Sequence, residues 1–135
     1  MKLKEKEDLV QQIINNMGLD LFFSKKRVYP LKDFRKVNFL IPFFESLGYN
    51  VDNCIPIEIV KEDVMELIDR CNKVLENPEL GPELLPTTAG FFFGNTEYDE
   101  NYLYNVDDVL RSMEEMLPEF DNLERNESIT FSIWY

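Results

Sequence analysis

Two short segments at opposite ends of the chain alternate apolar residues with a period of two, and they constrain the fold more than any other feature. Leu19, Leu21 and Phe23 of LDLFF fall on one side of an extended chain, as do Ile129, Phe131, Ile133 and Tyr135 of ITFSIWY. Such alternation marks a half-buried strand, because successive side chains leave opposite faces of a sheet. The matching apolar faces predict that the first and last strands are neighbours in one small sheet. A third alternation, Ile55, Ile57 and Ile59, predicts another strand. Pro56 places it at an edge, since proline has no N–H for a ladder.

Between these strands the period becomes helical. Val64, Leu67, Ile68, Cys71, Val74 and Leu75 fall at i, i+3, i+4 and i+7 spacing within Glu62–Glu76. That is the stripe of a core-facing helix, with Glu62 and Asp63 at its positive end. Cys71 is accordingly predicted to be a small core residue. A further helix is expected from Glu100 to Leu117, with Leu103, Val106, Val109, Leu110, Met113 and Leu117 inward and Pro118 ending it. Asp33 is expected to cap a helix running through FRKVNFLIPFFESL to Gly48, after a connection that contains Pro30. Pro42 either bends that helix or begins a new segment.

Residues 4–16 (KEKEDLVQQIINN) show a short amphipathic pattern built on Leu9, Val10, Ile13 and Ile14. The predicted organisation is a helical extension, residues 1–16, on a single domain, residues 17–135. Gly90-Phe-Phe-Phe-Gly94 is too short for a helix and predicts a turn with at least two rings buried, since an exposed trio makes a sticky patch. The chain has 135 residues, enough for one domain, and 44% are hydrophobic, enough for a packed core. Strands and helices mix without a regular βαβ order. The expected fold class is α+β, a small antiparallel sheet packed against three to four helices.

Composition narrows the chemistry. The sequence has no histidine, which excludes a histidine general base, the Ser-His and Cys-His nucleophiles and histidine-ligated metals. Cys54 and Cys71 are read as reduced thiols of a cytoplasmic protein. The charged start, MKLKEKEDLV, lacks the apolar core of a signal peptide, and no stretch is long enough for a membrane span. The run NTEYDENY supplies Glu97, Asp99 and Glu100, with Asp107 and Asp108 further on. These carboxylates suit helix capping first, then an acidic partner-binding patch, then a hard-cation site, although the EF-hand pattern is missing. Gly90 and Gly94 make no phosphate loop, having three phenylalanines between them and no following Lys-Ser/Thr. No cofactor is expected, and no catalytic residues are assigned.

The net charge of −12 is unevenly spread. Residues 1–40 carry nine basic and five acidic side chains, and residues 41–135 carry five and 21. The basic excess lies in KKRVYPLKDFRK: Lys25, Lys26, Arg27, Lys32, Arg35 and Lys36, with Tyr29 and Phe34 interleaved. Cations between aromatics can hold phosphates and stack on bases. They can equally serve only to balance the acidic remainder.

The order MGLDLFF, FRKVNFLIPFF, VDNC and CNKVLENPELGPELLPTTAGFFFGNTEYDENY resembles a family of small uncharacterised proteins encoded in bacteriophages, prophages and other mobile elements. Its members look like MGLDMYL at the start, WRKAN-x-IH-x-WF in the first core helix and LLPTQ-GFFFGSTEYDE-Y later. Coverage runs from Met17 to about Tyr135. Where members carry histidine this chain has Ile41, followed by Pro42, and where they carry two aromatics it has Phe43 and Phe44. The resemblance implies a genomic context rather than a mechanism. A small acidic protein of that kinship, without catalytic signatures, is expected to act by stoichiometric binding to a host nucleic-acid-handling defence complex, as an anti-CRISPR-like inhibitor. The contact would run through guide RNA held by the basic cluster, or through acidic mimicry around residues 97–127. The alternative is a small-molecule, nucleotide-binding sponge with the Phe91–Phe93 and Tyr98 region lining its pocket.

Overall fold

The computed structural model describes residues 18–25, 29–90 and 93–135. The expected extension at 1–16 lies outside them, as do Lys26, Arg27, Phe91 and Phe92. The two terminal alternations pair as predicted. Strand β1 (Asp20–Lys25) runs antiparallel to β4 (Ile129–Trp134), with Leu21 opposite Ile133 and Phe23 opposite Phe131. The sheet has four antiparallel strands in the order β2-β1-β4-β3, so the chain's first and last described strands form its centre. Strand β3 (Ile57–Ile59) is an edge that begins just after Pro56. Ile55 stays outside it and is exposed. Cys54, also exposed, holds a left-handed backbone (φ 64) and donates its N–H to Ile133 O at 2.8 Å, which interrupts the alternation before Ile57.

The expected helix from Asp33 to Gly48 divides in two. Tyr29–Arg35 is instead strand β2, so Pro30 and Asp33 both lie within a strand. The cause is tertiary. β1 has a free edge there, and pairing Leu21 with Phe34 and Asp20 with Arg35 outweighs a weak local helix signal. Helix α1 starts only at Leu40 and ends at Ser46. Pro42 neither bends it nor opens a new segment. It sits in the first turn, where the N–H has no intrahelical partner in any case.

Helix α2 (Lys61–Glu76) follows β3, and its first turn is held by the Asp63 carboxylate, which accepts the Val60 N–H at 3.0 Å. A 3-10 turn (Pro78–Leu80) and the short helix α3 (Gly81–Leu84) lead to helix α4 (Glu100–Met116). A second 3-10 turn, Leu117–Asn122, carries the chain past Pro118 towards β4. This is an α+β fold: α2 and α4 pack together, α4 also touches β2, and the buried residues of both helices join those of the strands in one core.

The buried side chains form one cluster centred on rings. Phe131 stacks on Phe44 at 4.3 Å and meets Phe23 at 5.1 Å. Val64, Leu67, Cys71 and Val74 supply the α2 side, and Val106, Val109, Leu110 and Met113 the α4 side. Burial pushes the Cys71 thiol up to about 12, so it stays protonated at neutral pH and acts as a core residue. Phe93 is buried, the described member of the triple phenylalanine. Tyr135 does not continue the inward alternation of β4 and is exposed, its ring edge-on to Phe93 at 4.8 Å.

Leu67 has no exposed surface and lies in the middle of α2. Leu67→Ala should destabilise the fold by about 2–5 kcal/mol, the range for truncating a buried leucine. Urea titration measures it, and a loss below about 0.5 kcal/mol would place the α2 stripe at the surface.

Candidate functional site

Strand alternation breaks up the basic cluster. Lys32 is opposite Phe23 and faces the helices, where it pairs with Glu115 of α4 and holds that carboxyl below its ordinary value. Lys25 lies at the other end of β1, 3.7 Å from Glu127. Arg35 pairs with Asp20 at the first residue of β1, about 17 Å of strand from Lys25. Lys36 follows it in the turn towards α1. Of the six predicted basic residues, the structure therefore brings together Arg35 and Lys36, sets Lys25 and Lys32 apart from them, and leaves Lys26 and Arg27 outside the described residues.

Arg35 and Lys36 form one wall of a cleft of about 350 Å³. Val37, Asn38 and Phe39 complete that wall. Thr87, the 94–97 loop and the first turns of α4 form the other, contributing Asn95, Glu97, Asn101, Tyr102 and Asn105. The segments FRKVN and GNTEYDENY, sixty residues apart in sequence, thus meet at one place.

Asn38 holds them there. Its side chain is the buried polar group of the core, 3% exposed. Its amide nitrogen donates to Phe93 O at 3.0 Å and Asn95 O at 3.1 Å, and its amide oxygen accepts the Thr88 N–H at 3.1 Å. One carboxamide therefore satisfies three backbone groups of the 88–95 loop, which a buried polar residue must do to be tolerated. Two backbone features tighten the junction. Gly94 adopts a positive φ of 88, where its missing Cβ leaves room for the Lys36 stem at 3.2 Å. Lys36 is itself left-handed (φ 59), with its N–H given to Leu19 O at 2.8 Å. A non-glycine residue in that region costs roughly 1–2 kcal/mol. Strain of this kind persists where the surroundings fix it, often at binding sites.

The floor is aromatic. Tyr102 donates its hydroxyl to Leu85 O at 2.8 Å and meets Phe39 at 5.7 Å and Tyr98 at 4.9 Å. Burial raises its phenol well above the ordinary value, so it stays neutral and structural. The Tyr98 hydroxyl accepts the Thr87 N–H at 3.0 Å, and the Thr87 hydroxyl donates to Thr96 O at 3.0 Å.

The acidic candidates separate by role. Asp99 caps α4, accepting the Tyr102 N–H at 3.0 Å, and Glu100 occupies the first turn. Asp107 pairs with Arg111 at 3.0 Å, one turn along the same helix. Asp108 follows Asn105 by three residues on α4 without lining the cleft, whereas Glu97 lines it, its N–H donating to the Asn95 side-chain oxygen at 3.1 Å. Among the described residues, no group of three His, Cys, Asp or Glu side chains is placed to hold a metal ion. No described helix is long and apolar enough to cross a membrane.

Asn38, Asn95, Asn101, Asn105 and Thr87 were absent from the sequence-derived candidates. Only the four-residue spacing of Asn101 and Asn105 within a predicted helix signalled a shared face. Compared with protein-family models, with curated proteins and with solved structures, the chain has no match in any of the three.

Asn38→Asp keeps the size of the side chain but replaces the donor to Phe93 O and Asn95 O with a carboxylate oxygen. It should cost about 2–4 kcal/mol, the loss of two buried hydrogen bonds plus unpaired carbonyls. Thermal and urea unfolding measure this, and a variant as stable as the wild type would show that Asn38 does not hold the loop.

Proposed function

We propose that the protein acts by stoichiometric binding, without a catalytic step, and that it captures a small phosphate-bearing anion in the Arg35–Asn105 cleft. The observation that carries this reading is the convergence of Arg35 and Lys36 with a row of neutral carboxamides in one cleft of ligand size. Two cations favour an anion, and neutral amides orient it without moving protons. Such a capture protein fits the accessory role in a mobile element that the resemblance implies, and it corresponds to a sponge for a host signal or metabolite. Guide-RNA binding by the whole basic cluster draws less support, because Lys32 is turned towards Glu115 of α4 and Lys25 lies at the far end of β1 from Arg35.

A second reading keeps the host defence complex as target, approached through acidic mimicry. It is favoured by the positions of Glu100, Asp107 and Asp108, which α4 carries outside the cleft lining. An acidic helix there is attracted to a cationic surface that handles nucleic acid.

Calorimetric titration with inorganic phosphate, pyrophosphate and small phosphate esters tests the first reading. Arg35→Ala and Lys36→Gly should each weaken anion binding by about tenfold or more, the scale of one charge-assisted hydrogen bond. Because Lys36 is left-handed, Lys36→Gly should leave stability unchanged or raise it by up to about 1 kcal/mol. Neutralising Glu100, Asp107 and Asp108 together should leave anion binding intact. A folded wild type that binds none of these anions, or cleft variants that bind them equally well, would overturn the reading.

A further inference from the structure

Resting on the reading of the cleft as an anion site, we infer that its ligand is a guanine nucleotide, with the phosphate on the Arg35–Lys36 wall and the base read by the opposite wall. The two walls differ in chemistry. Residues 35–39 bring both cations, whereas the 94–97 loop and the start of α4 bring one carboxylate, Glu97, and the carboxamides of Asn95, Asn101 and Asn105. A bare phosphate would leave most of a 350 Å³ cleft to water, and the volume matches one small ligand with a ring system attached.

The hydrogen-bonding inventory selects the ring. Among the described residues, neither Asn101 nor Asn105 has its side chain engaged by another residue, so both can turn a donor and an acceptor towards a ligand. On α4 they are one turn apart, about 6 Å along the axis, which suits contact with two sites on a purine. The Asn95 side-chain oxygen is taken by the Glu97 N–H, which leaves its amide nitrogen as a donor. Glu97, when ionised, can only accept. Guanine offers two adjacent N–H donors on one edge, N1–H and the 2-amino group, which a carboxylate accepts together, and its O6 takes a carboxamide donor. Adenine and cytosine each place an amino group beside a bare ring nitrogen, which a carboxylate repels, and uracil offers one N–H between two carbonyls. A site built on such pairing discriminates strongly, because the wrong base leaves its polar groups unpaired.

The test is calorimetric titration of the purified protein with guanosine monophosphate, adenosine monophosphate and inorganic phosphate, repeated on Glu97→Gln and on Asn101→Ala with Asn105→Ala. The wild type should bind guanosine monophosphate at least about tenfold more tightly than either of the others. Glu97→Gln should remove the preference for guanine while inorganic phosphate binds at least as tightly as to the wild type, because the substitution takes a negative charge out of the cleft, and circular dichroism should show each variant folded. Equal affinity for all three probes, or preference for adenine, would overturn the base reading and leave the anion cleft standing. Failure of every probe to bind would overturn both. A guanine preference that survives Glu97→Gln and the double asparagine variant would place base recognition elsewhere on the protein and overturn the inference.

Discussion

The fold depends on the antiparallel pairing of β1 with β4. These strands are separated by a hundred residues, yet they form the centre of the sheet, and every other element is placed relative to them. Phe23 from one and Phe131 from the other meet at 5.1 Å, and Phe44 of α1 stacks on Phe131, so one aromatic cluster fixes the central strands and the first helix together. Burying three rings removes large apolar area from water, and the offset and tilted contacts add to it. Because β1 is central, its second edge must also be filled, and that requirement draws Tyr29–Arg35 into the sheet as β2.

The cleft is a consequence of where β2 stops. Its last residue, Arg35, is opposite the first residue of β1, and the chain reverses into α1 through the left-handed Lys36. This puts two cations at the rim of the sheet rather than along a strand. Asn38 then ties the 88–95 loop to the same turn through three hydrogen bonds, and Asp99 starts α4 so that Asn101 and Asn105 face the gap. A buried amide, a strained lysine and a helix cap thus assemble a polar site from segments with no local signal for one.

Legibility in the sequence followed the range of the interaction. β1, β4, α2 and α4 were readable because periodic burial writes itself into periodic side chains, and the closeness of the first and last strands followed from matching apolar faces. β2 was not readable, because YPLKDFRK has a proline and four charges and becomes a strand only when β1 offers an edge. The basic residues looked like one cluster because they are close in sequence, but alternation sends Lys32 and Arg35 to opposite faces. Glu97 was singled out with the other carboxylates, yet its distinction from Asp99 and Asp107 arises only where the loop meets Lys36. Asn38 carries no pattern at all, since its importance lies in three backbone groups fifty residues away.

The central claim is that recognition occurs at the junction of residues 35–38 with residues 94–105. Amide-resolved NMR during titration with guanosine monophosphate tests it most directly. The account predicts that the amide signals of Arg35, Lys36, Asn38, Asn95, Glu97, Asn101 and Asn105 shift progressively with ligand, while those of β3 and the second half of α2 stay fixed. Shifts confined to the sheet face that carries Phe22 and Trp134, or to the outer surface of α2, would contradict it.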